Sequence, residues 1–372
     1  MSIMILAAVL VVLGCWIAIL RMGYQYEKNW TKNFELEISF SQEQAGEGDT
    51  LWLYEVITNN KEMTLPAISV KFKTSKFLTF EDLDSGSVSD YFYRNDVISV
   101  RGYEQVRRKL RLKCARRGIY SIREAELIGR DYFLQRTYLE KKEVEAGLIV
   151  YPSFVGIEKI LPLFQKSYGD MRTTVPMFED PFEYVGVREY FPGDRMNRIH
   201  WKASAKTGNW QVKTSAYKAG EPALILLNLG SPGNFINQTA MEENIRIAYS
   251  LVHFLDRRGL KTMLVANGSE GFRLQGSGKG YMAQVRRKLA GVTYETQIQS
   301  GVGMLQRERD NLTEHVHLFF VSSQGKPEIQ QELADILHRG VSVTWVAVTA
   351  GGEDDTRQLL PALEPCIYRW KA

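Results

Sequence analysis

Three kinds of hydrophobic spacing follow one another along the chain. Ser2 to Leu20 is nineteen residues without a charge. As a helix rising about 1.5 Å per residue it spans roughly 28 Å, the thickness of a bilayer core. From Phe34 the period changes to two. Phe34 to Phe40, Ile68 to Lys73 and Leu110 to Cys114 alternate apolar and polar positions, Leu51 to Ile57 is rich in strand-forming residues, and turn residues such as Asn59-Asn60 and Arg117-Gly118 punctuate them. Short strands at this spacing predict an antiparallel β-sandwich-like domain over residues 34–150, with Glu81 to Gly102 as a long loop. From Pro222 the pattern changes again. Ala223 to Leu229 is unbroken apolar, as a strand buried on both faces requires, and Thr239 to Arg258 has helical periodicity ended by Gly259. Strand-like runs at Lys261–Ala266, His315–Val321 and Val341–Val348, a helix at Ile329–Leu337 and a closing strand at Cys366–Trp370 complete a C-terminal α/β doubly wound domain over 221–372. Between them, residues 151–220 hold five prolines and the densest polar cluster, and form a connector.

The fold class is therefore α+β multidomain, with an N-terminal transmembrane helix over residues 1–22. A retained single-pass anchor fits the first run better than a cleaved signal peptide, which needs a basic leading region and a shorter core. Val12-Leu13-Gly14-Cys15 suggests lipidation, yet the apolar run continues beyond that cysteine. Arg21, Lys28 and Lys32 follow the span and nothing basic in the sequence precedes it, so the positive-inside rule puts the bulk of the chain in the cytoplasm. Composition adds little: 44% hydrophobic, 24% charged and a net charge of +4 describe an ordinary globular chain. The charge is uneven, however. Residues 101–117 carry eight Lys/Arg against Glu104 alone, with Lys109, Arg111 and Lys113 on the solvent side of a strand. Near a membrane such a face attracts anionic lipid. Nucleic acid is not expected, because stacking aromatics are not interleaved with these basic residues.

No complete catalytic site is legible, and no enzyme and no cofactor are expected. Asp194, His200 and Ser204 invite comparison with a hydrolase triad, but a Gly-x-Ser-x-Gly elbow is missing. A hydrolytic or metal-dependent enzyme using the Asp194/His200 region is the alternative function. His315 and His317 share a strand face without an evident third metal ligand. Gly276-Ser277-Gly278-Lys279-Gly280 departs from a phosphate loop, whose lysine is followed by Ser or Thr. The three cysteines form no CxxC pair.

The most specific stretch runs from Val187 to Gly208. It includes Arg188-Glu189-Tyr190, the turn Pro192-Gly193-Asp194, and Arg195, Arg198, His200, Trp201, Lys202 and Ser204. Asp194 is expected to cap a helix on which Arg195, Arg198, Lys202 and Lys206 share a face. Tyr190 and Trp201 are expected to pack between domains. This stretch resembles the bacterial family catalogued as domain of unknown function 58. Ala115 to Tyr120, Arg130-Asp131-Tyr132-Phe133 and Ile149 to Pro152 resemble further motifs of that family. The resemblance implies N-terminal membrane helices, a von Willebrand factor A-like C-terminal domain and a MoxR-type AAA+ ATPase as partner. Such domains often hold a divalent cation through Asp-x-Ser-x-Ser after the first strand. The matching positions here are Asn228, Gly230 and Pro232, with Ser322-Ser323 where a later Asp is expected, so no metal is expected. Asn228, Ser231, Ser322 and Ser323 remain a candidate docking edge. The function expected is a non-enzymatic, membrane-anchored interaction or scaffold protein of the cell membrane, attached to lipid by its N-terminal helix.

Overall fold

The computed structural model describes residues 2–81, 86–88, 91–156, 158–163, 186–190, 196, 199–214, 222–230, 237–268, 271–293, 300–313, 316–349 and 359–372. It divides into two compact units, Met1–Ser153 and Phe154–Ala372. The chain is mixed α/β, with one apolar N-terminal helix and several sheets.

In the first unit, helix α1 runs unbroken from Ser2 to Asn29. It passes the expected boundary at residue 22 because no proline interrupts Arg21 to Asn29. The helix is long and apolar enough to cross a membrane. Leu10, Val12 and Trp16 are all exposed, so its middle presents apolar side chains that the rest of this chain does not cover. Its far end differs. Tyr26 and, one residue past the helix, Trp30 are buried in the core of the β unit.

That core lies between two sheets. Strands β1 (Phe34–Phe40), β2 (Gln44–Gly46), β3 (Thr50–Asn59), β4 (Leu65–Ser75), β5 (Leu78–Phe80), β6 (Gly86–Val88), β7 (Tyr91–Val100), β8 (Gln105–Cys114), β9 (Gly118–Arg130) and β10 (Thr137–Tyr151) follow in order. One sheet is ordered β1-β3-β8-β5 and the other β2-β10-β9-β4-β7-β6. Leu53, Ile57 and Leu112 of the first share one cluster with Val70, Phe72, Ile122 and Leu127 of the second. Leu53 and Ile57, like Val70 and Phe72, come from alternate positions of their strands, whereas Ile122 and Leu127 lie on either side of an irregularity in the β9–β10 register. The stretch expected as a loop from Glu81 to Gly102 contains β6 and all of β7, which pairs with β4 from Ser75↔Tyr91 to Leu65↔Val100. On the outer face, Arg107, Lys109, Arg111 and Lys113 are exposed. The aromatics missing from that basic stretch stand on the neighbouring strand: Trp52 pairs with Arg111 and Tyr54 with Lys109, whose Nζ lies 5.8 Å from the Tyr54 ring.

The second unit begins with Ile160 and Leu163, buried in its core from a helical turn at residues 158–163. There follow β11 (Gly186–Glu189), α2 (Trp201–Thr207), β12 (Gln211–Thr214), β13 (Ala223–Asn228), α3 (Gln238–Asp256), β14 (Thr262–Ala266), β15 (Phe272–Gly276), α4 (Gly278–Ala290), α5 (Gly301–Arg309), β16 (His317–Ser322), α6 (Pro327–His338), β17 (Ser342–Thr349) and β18 (Ile367–Lys371). The main sheet is ordered β15-β14-β13-β16-β17-β18, parallel except for the β15 edge. Ala223, Ile225 and Leu227 face the core built with α3 and α4, through Ile245, Leu251 and Val285. Leu224 and Leu226 face the one built with α5 and α6, through Met304, Leu305, Ile329 and Leu333. Covering both faces is what makes β13 an unbroken apolar run.

Candidate functional site

The signature stretch folds as a small module. β11 and β12 pair antiparallel, with Arg188 opposite Val212 and Glu189 opposite Gln211. Between them α2 is N-capped by His200, whose Nδ1 accepts from the Ala203 N–H at 3.0 Å. Ser204 Oγ donates to the His200 carbonyl at 3.1 Å and accepts from the Gln211 N–H at 2.8 Å, tying helix to strand. The His200 N–H donates in turn to the Gln211 carbonyl at 2.7 Å. His200 Nδ1 and Ser204 Oγ, the pair that invited a triad, are thus both committed to backbone groups.

Of the four basic residues expected on one helix face, the described residues include Lys202 and Lys206. Ile199 bridges to Val212 in extended backbone and α2 starts at Trp201, so Lys202 and Lys206 lie on the helix while residue 199 does not. Pro192, Gly193, Asp194, Arg195 and Arg198 lie outside the described residues, so the capping expected of Asp194 does too. Trp201 is not a buried packing residue: it is 65% exposed. Tyr190 packs edge-on against Trp210, with centroids 5.3 Å apart. Trp210 is itself 50% exposed and Met196 56%. Sequence reasoning passed over both, although Gly208-Asn209-Trp210 signals a turn presenting an aromatic.

The second candidate lies where the strand order reverses, between β13 and β16. Asn228 and Ser322 are register partners at the carboxyl ends of these strands, and both are fully buried. Asn228 Nδ2 donates to Ser322 Oγ at 2.9 Å and to Gln324 Oε1 at 3.0 Å. Its Oδ1 accepts from Asn267 Nδ2 at 2.6 Å and from the Gly230 N–H at 3.2 Å. An amide has two donors and about two acceptor sites, and all are used. Ser323 Oγ donates to the Gly230 carbonyl at 3.2 Å, and Asn267 Oδ1 accepts from the Leu229 N–H at 2.7 Å. Two glycines permit this closeness. A Cβ on Gly230 would sit 2.5 Å from Gln324 Oε1, and one on Gly301 would sit 2.8 Å from Asn228 Nδ2. A side chain at position 230 would therefore have to displace the Gln324 amide from its place beside Asn228. Ser231 and Pro232 lie outside the described residues.

This donor set does not fit a divalent cation. Mg²⁺ requires hard, charged oxygen ligands, whereas Asn228 presents two N–H donors to its neighbours and no carboxylate is among its partners. Among the described residues, no three His, Cys, Asp or Glu side chains gather as a metal group.

His315 lies outside the described residues. His317 is buried, with Nε2 2.9 Å from Thr344 Oγ1 and its ring 4.5 Å from that of Phe319. Burial pushes its pKa down to about 4. In the unfolded chain the ring takes its proton near pH 6.5. Because the folded value is lower, the stability is fully present above pH 6.5 and is lost as pH falls from 6.5 through 4, by about 3 kcal/mol. A His317→Gln variant should lose that part of the acid slope in urea titrations of the second unit. An unchanged slope would refute the assignment.

No curated protein matches the chain. Among solved structures, it is similar to the CARDB domain of the PF1109 protein from Pyrococcus furiosus, at 13% identity and TM-score 0.23, covering 32% of this chain and 90% of that one. It is also similar to a non-cellulosomal cohesin from Archaeoglobus fulgidus, at 12% identity and TM-score 0.22, covering 34% and 96%. The model of the family described as protein of unknown function DUF58 matches residues 186–353, from the first strand of the signature module to beyond β17.

Proposed function

We propose that this is a non-enzymatic, membrane-anchored interaction protein whose partner contacts the signature module. The observation that carries the reading is the exposure of Met196, Trp201 and Trp210 within a module otherwise closed by its own hydrogen bonds. Exposed tryptophans on a preorganised scaffold are typical anchors of protein interfaces, because little ordering entropy is lost on binding. Exposed Lys202 and Lys206 rim them with positive charge.

The rest of the reading assembles around that surface. α1 is the anchor, with the following units in the cytoplasm as Arg21, Lys28 and Lys32 suggest. The two sheets sharing one core support a β-sandwich, and the parallel sheet with helices on both faces supports a doubly wound domain of the von Willebrand factor A kind. Its cation position is rebuilt as a hydrogen-bonded hub, which leaves the module as the exposed contact surface. The family resemblance names the partner we propose, a MoxR-type AAA+ ATPase. A pull-down of the full chain from detergent extract, under nucleotide-trapping conditions, should recover that ATPase. Repeated recovery of the bait without it would contradict the partner.

A further inference from the structure

The β9–β10 turn, which carries Arg130-Asp131-Tyr132-Phe133, has no role in the module or the hub. Its tip is built to present apolar side chains. The Asp131 carboxylate, on a residue 5% exposed, accepts from the Gln135 N–H at 2.9 Å and the Arg136 N–H at 3.4 Å. The Leu134 N–H closes the turn on the Asp131 carbonyl at 3.0 Å, with Leu134 in the left-handed region at φ 57°. Tyr132, Phe133 and Leu134 are left 38%, 47% and 58% exposed. Three consecutive exposed apolar residues on a braced turn mark a contact surface.

Their position says which. Tyr132 packs edge-on against Tyr26 of α1, with centroids 5.6 Å apart, and Arg136 lies 3.9 Å from Glu27. Trp30 lies against Gly129, where a Cβ would stand 2.6 Å from its ring. Tyr26 is six residues beyond the end of the apolar run, about 9 Å along the helix axis, which places it at the outer edge of the headgroup layer. A second exposed aromatic, Tyr103, is held beside the same helix end. Lys61 Nζ donates to the carbonyls of Trp30 and Lys32 at 2.7 and 2.8 Å, while its own carbonyl accepts from the Tyr103 N–H at 3.1 Å. Arg130 and Arg136 bracket the turn in sequence, and Lys28 and Lys32 lie at the end of α1, supplying the charge that anionic headgroups attract.

We propose that the Tyr132-Phe133-Leu134 turn inserts into the headgroup boundary of the bilayer that α1 crosses, fixing the first unit on the membrane surface. Aromatic and apolar tips at that depth form an interfacial anchor of the kind seen at the ends of membrane spans. The inference rests on reading α1 as the anchor, and the experiment separates the two. The full chain, with Cys15, Cys114 and Cys366 replaced by serine, is reconstituted into vesicles of phosphatidylcholine and phosphatidylglycerol. Nitroxide labels are placed singly at Val12→Cys, Phe133→Cys, Leu134→Cys and Ile119→Cys, an exposed strand position. Accessibility to oxygen relative to a polar nickel complex is then read, with unfolding midpoints as the folding control. The expected ratio is highest at position 12, intermediate at 133 and 134, and water-like at 119. A deep label at 12 with water-like labels at 133 and 134 would overturn the turn's insertion while leaving the anchor. Shielding of 133 and 134 from both reagents would assign the patch to a protein partner and overturn it too. A water-like label at 12 would remove the anchor itself, and the inference with it.

Discussion

Replacing Asn228 by aspartate is expected to destabilise the second unit by about 3–5 kcal/mol and to confer no affinity for Mg²⁺. The side chain is fully buried and spends both N–H donors, one on Ser322 Oγ and one on Gln324 Oε1. A carboxylate has no donor while ionised, so Ser322 Oγ and Gln324 Oε1 each lose one donor and a charge without a counter-ion is buried. Each unsatisfied buried group costs about 1–3 kcal/mol, more when charged. The neighbours offer amides, hydroxyls and backbone N–H groups, so one restored acid does not rebuild an oxygen cage. Urea unfolding with and without Mg²⁺ reads both parts. A variant as stable as the parent, or one stabilised by Mg²⁺, would show that the hub is a latent cation site.

The second large effect is expected in the first unit. Glu55 and Arg108 are direct register partners on β3 and β8, 3.2 Å apart on the core side of the sheet, with side chains 1% and 19% exposed. Glu55→Ala removes the carboxylate 3.2 Å from a largely buried guanidinium and should cost about 3–5 kcal/mol. Replacing both by leucine removes the two charges together, and should recover most of that loss. The pair of denaturant midpoints decides. Equal destabilisation by the single and the double change would mean that shape, not charge compensation, governs the site.

These two positions also mark what the sequence makes legible. Glu55 falls on the inward register of Leu51, Leu53 and Ile57, so its burial follows from period two alone. The β13 run and the α3 periodicity are equally readable, because each element states its own burial. Elements that depend on partners are not. β10 carries Glu140, Lys141, Lys142, Glu143 and Glu145, and is a strand through its pairing with β9, where Lys141 meets Glu124 at 2.6 Å. The hub gathers Asn228, Asn267 and Ser322 from three strand ends, and no spacing along the chain announces that. That positions 228 and 322 carry no carboxylate is legible; that Asn228 and Ser322 bond to each other is not. The 65% exposure of Trp201 is not legible either, since a tryptophan among basic residues has the same local pattern inside a packed seam or on a surface.

The central claim is that the exposed tryptophans of the signature module are the contact surface for the partner. The direct test is the affinity of the detergent-solubilised full chain for the MoxR-type ATPase, compared with its Trp201→Ala, Trp210→Ala and Trp52→Ala variants. Trp52, 42% exposed on the first unit, serves as the control. Anchor residues of this kind contribute about 2 kcal/mol or more, so the first two changes should each weaken binding by about 30-fold, with unchanged unfolding midpoints. The Trp52 change should leave it intact. Binding that survives the loss of both Trp201 and Trp210 would contradict the account.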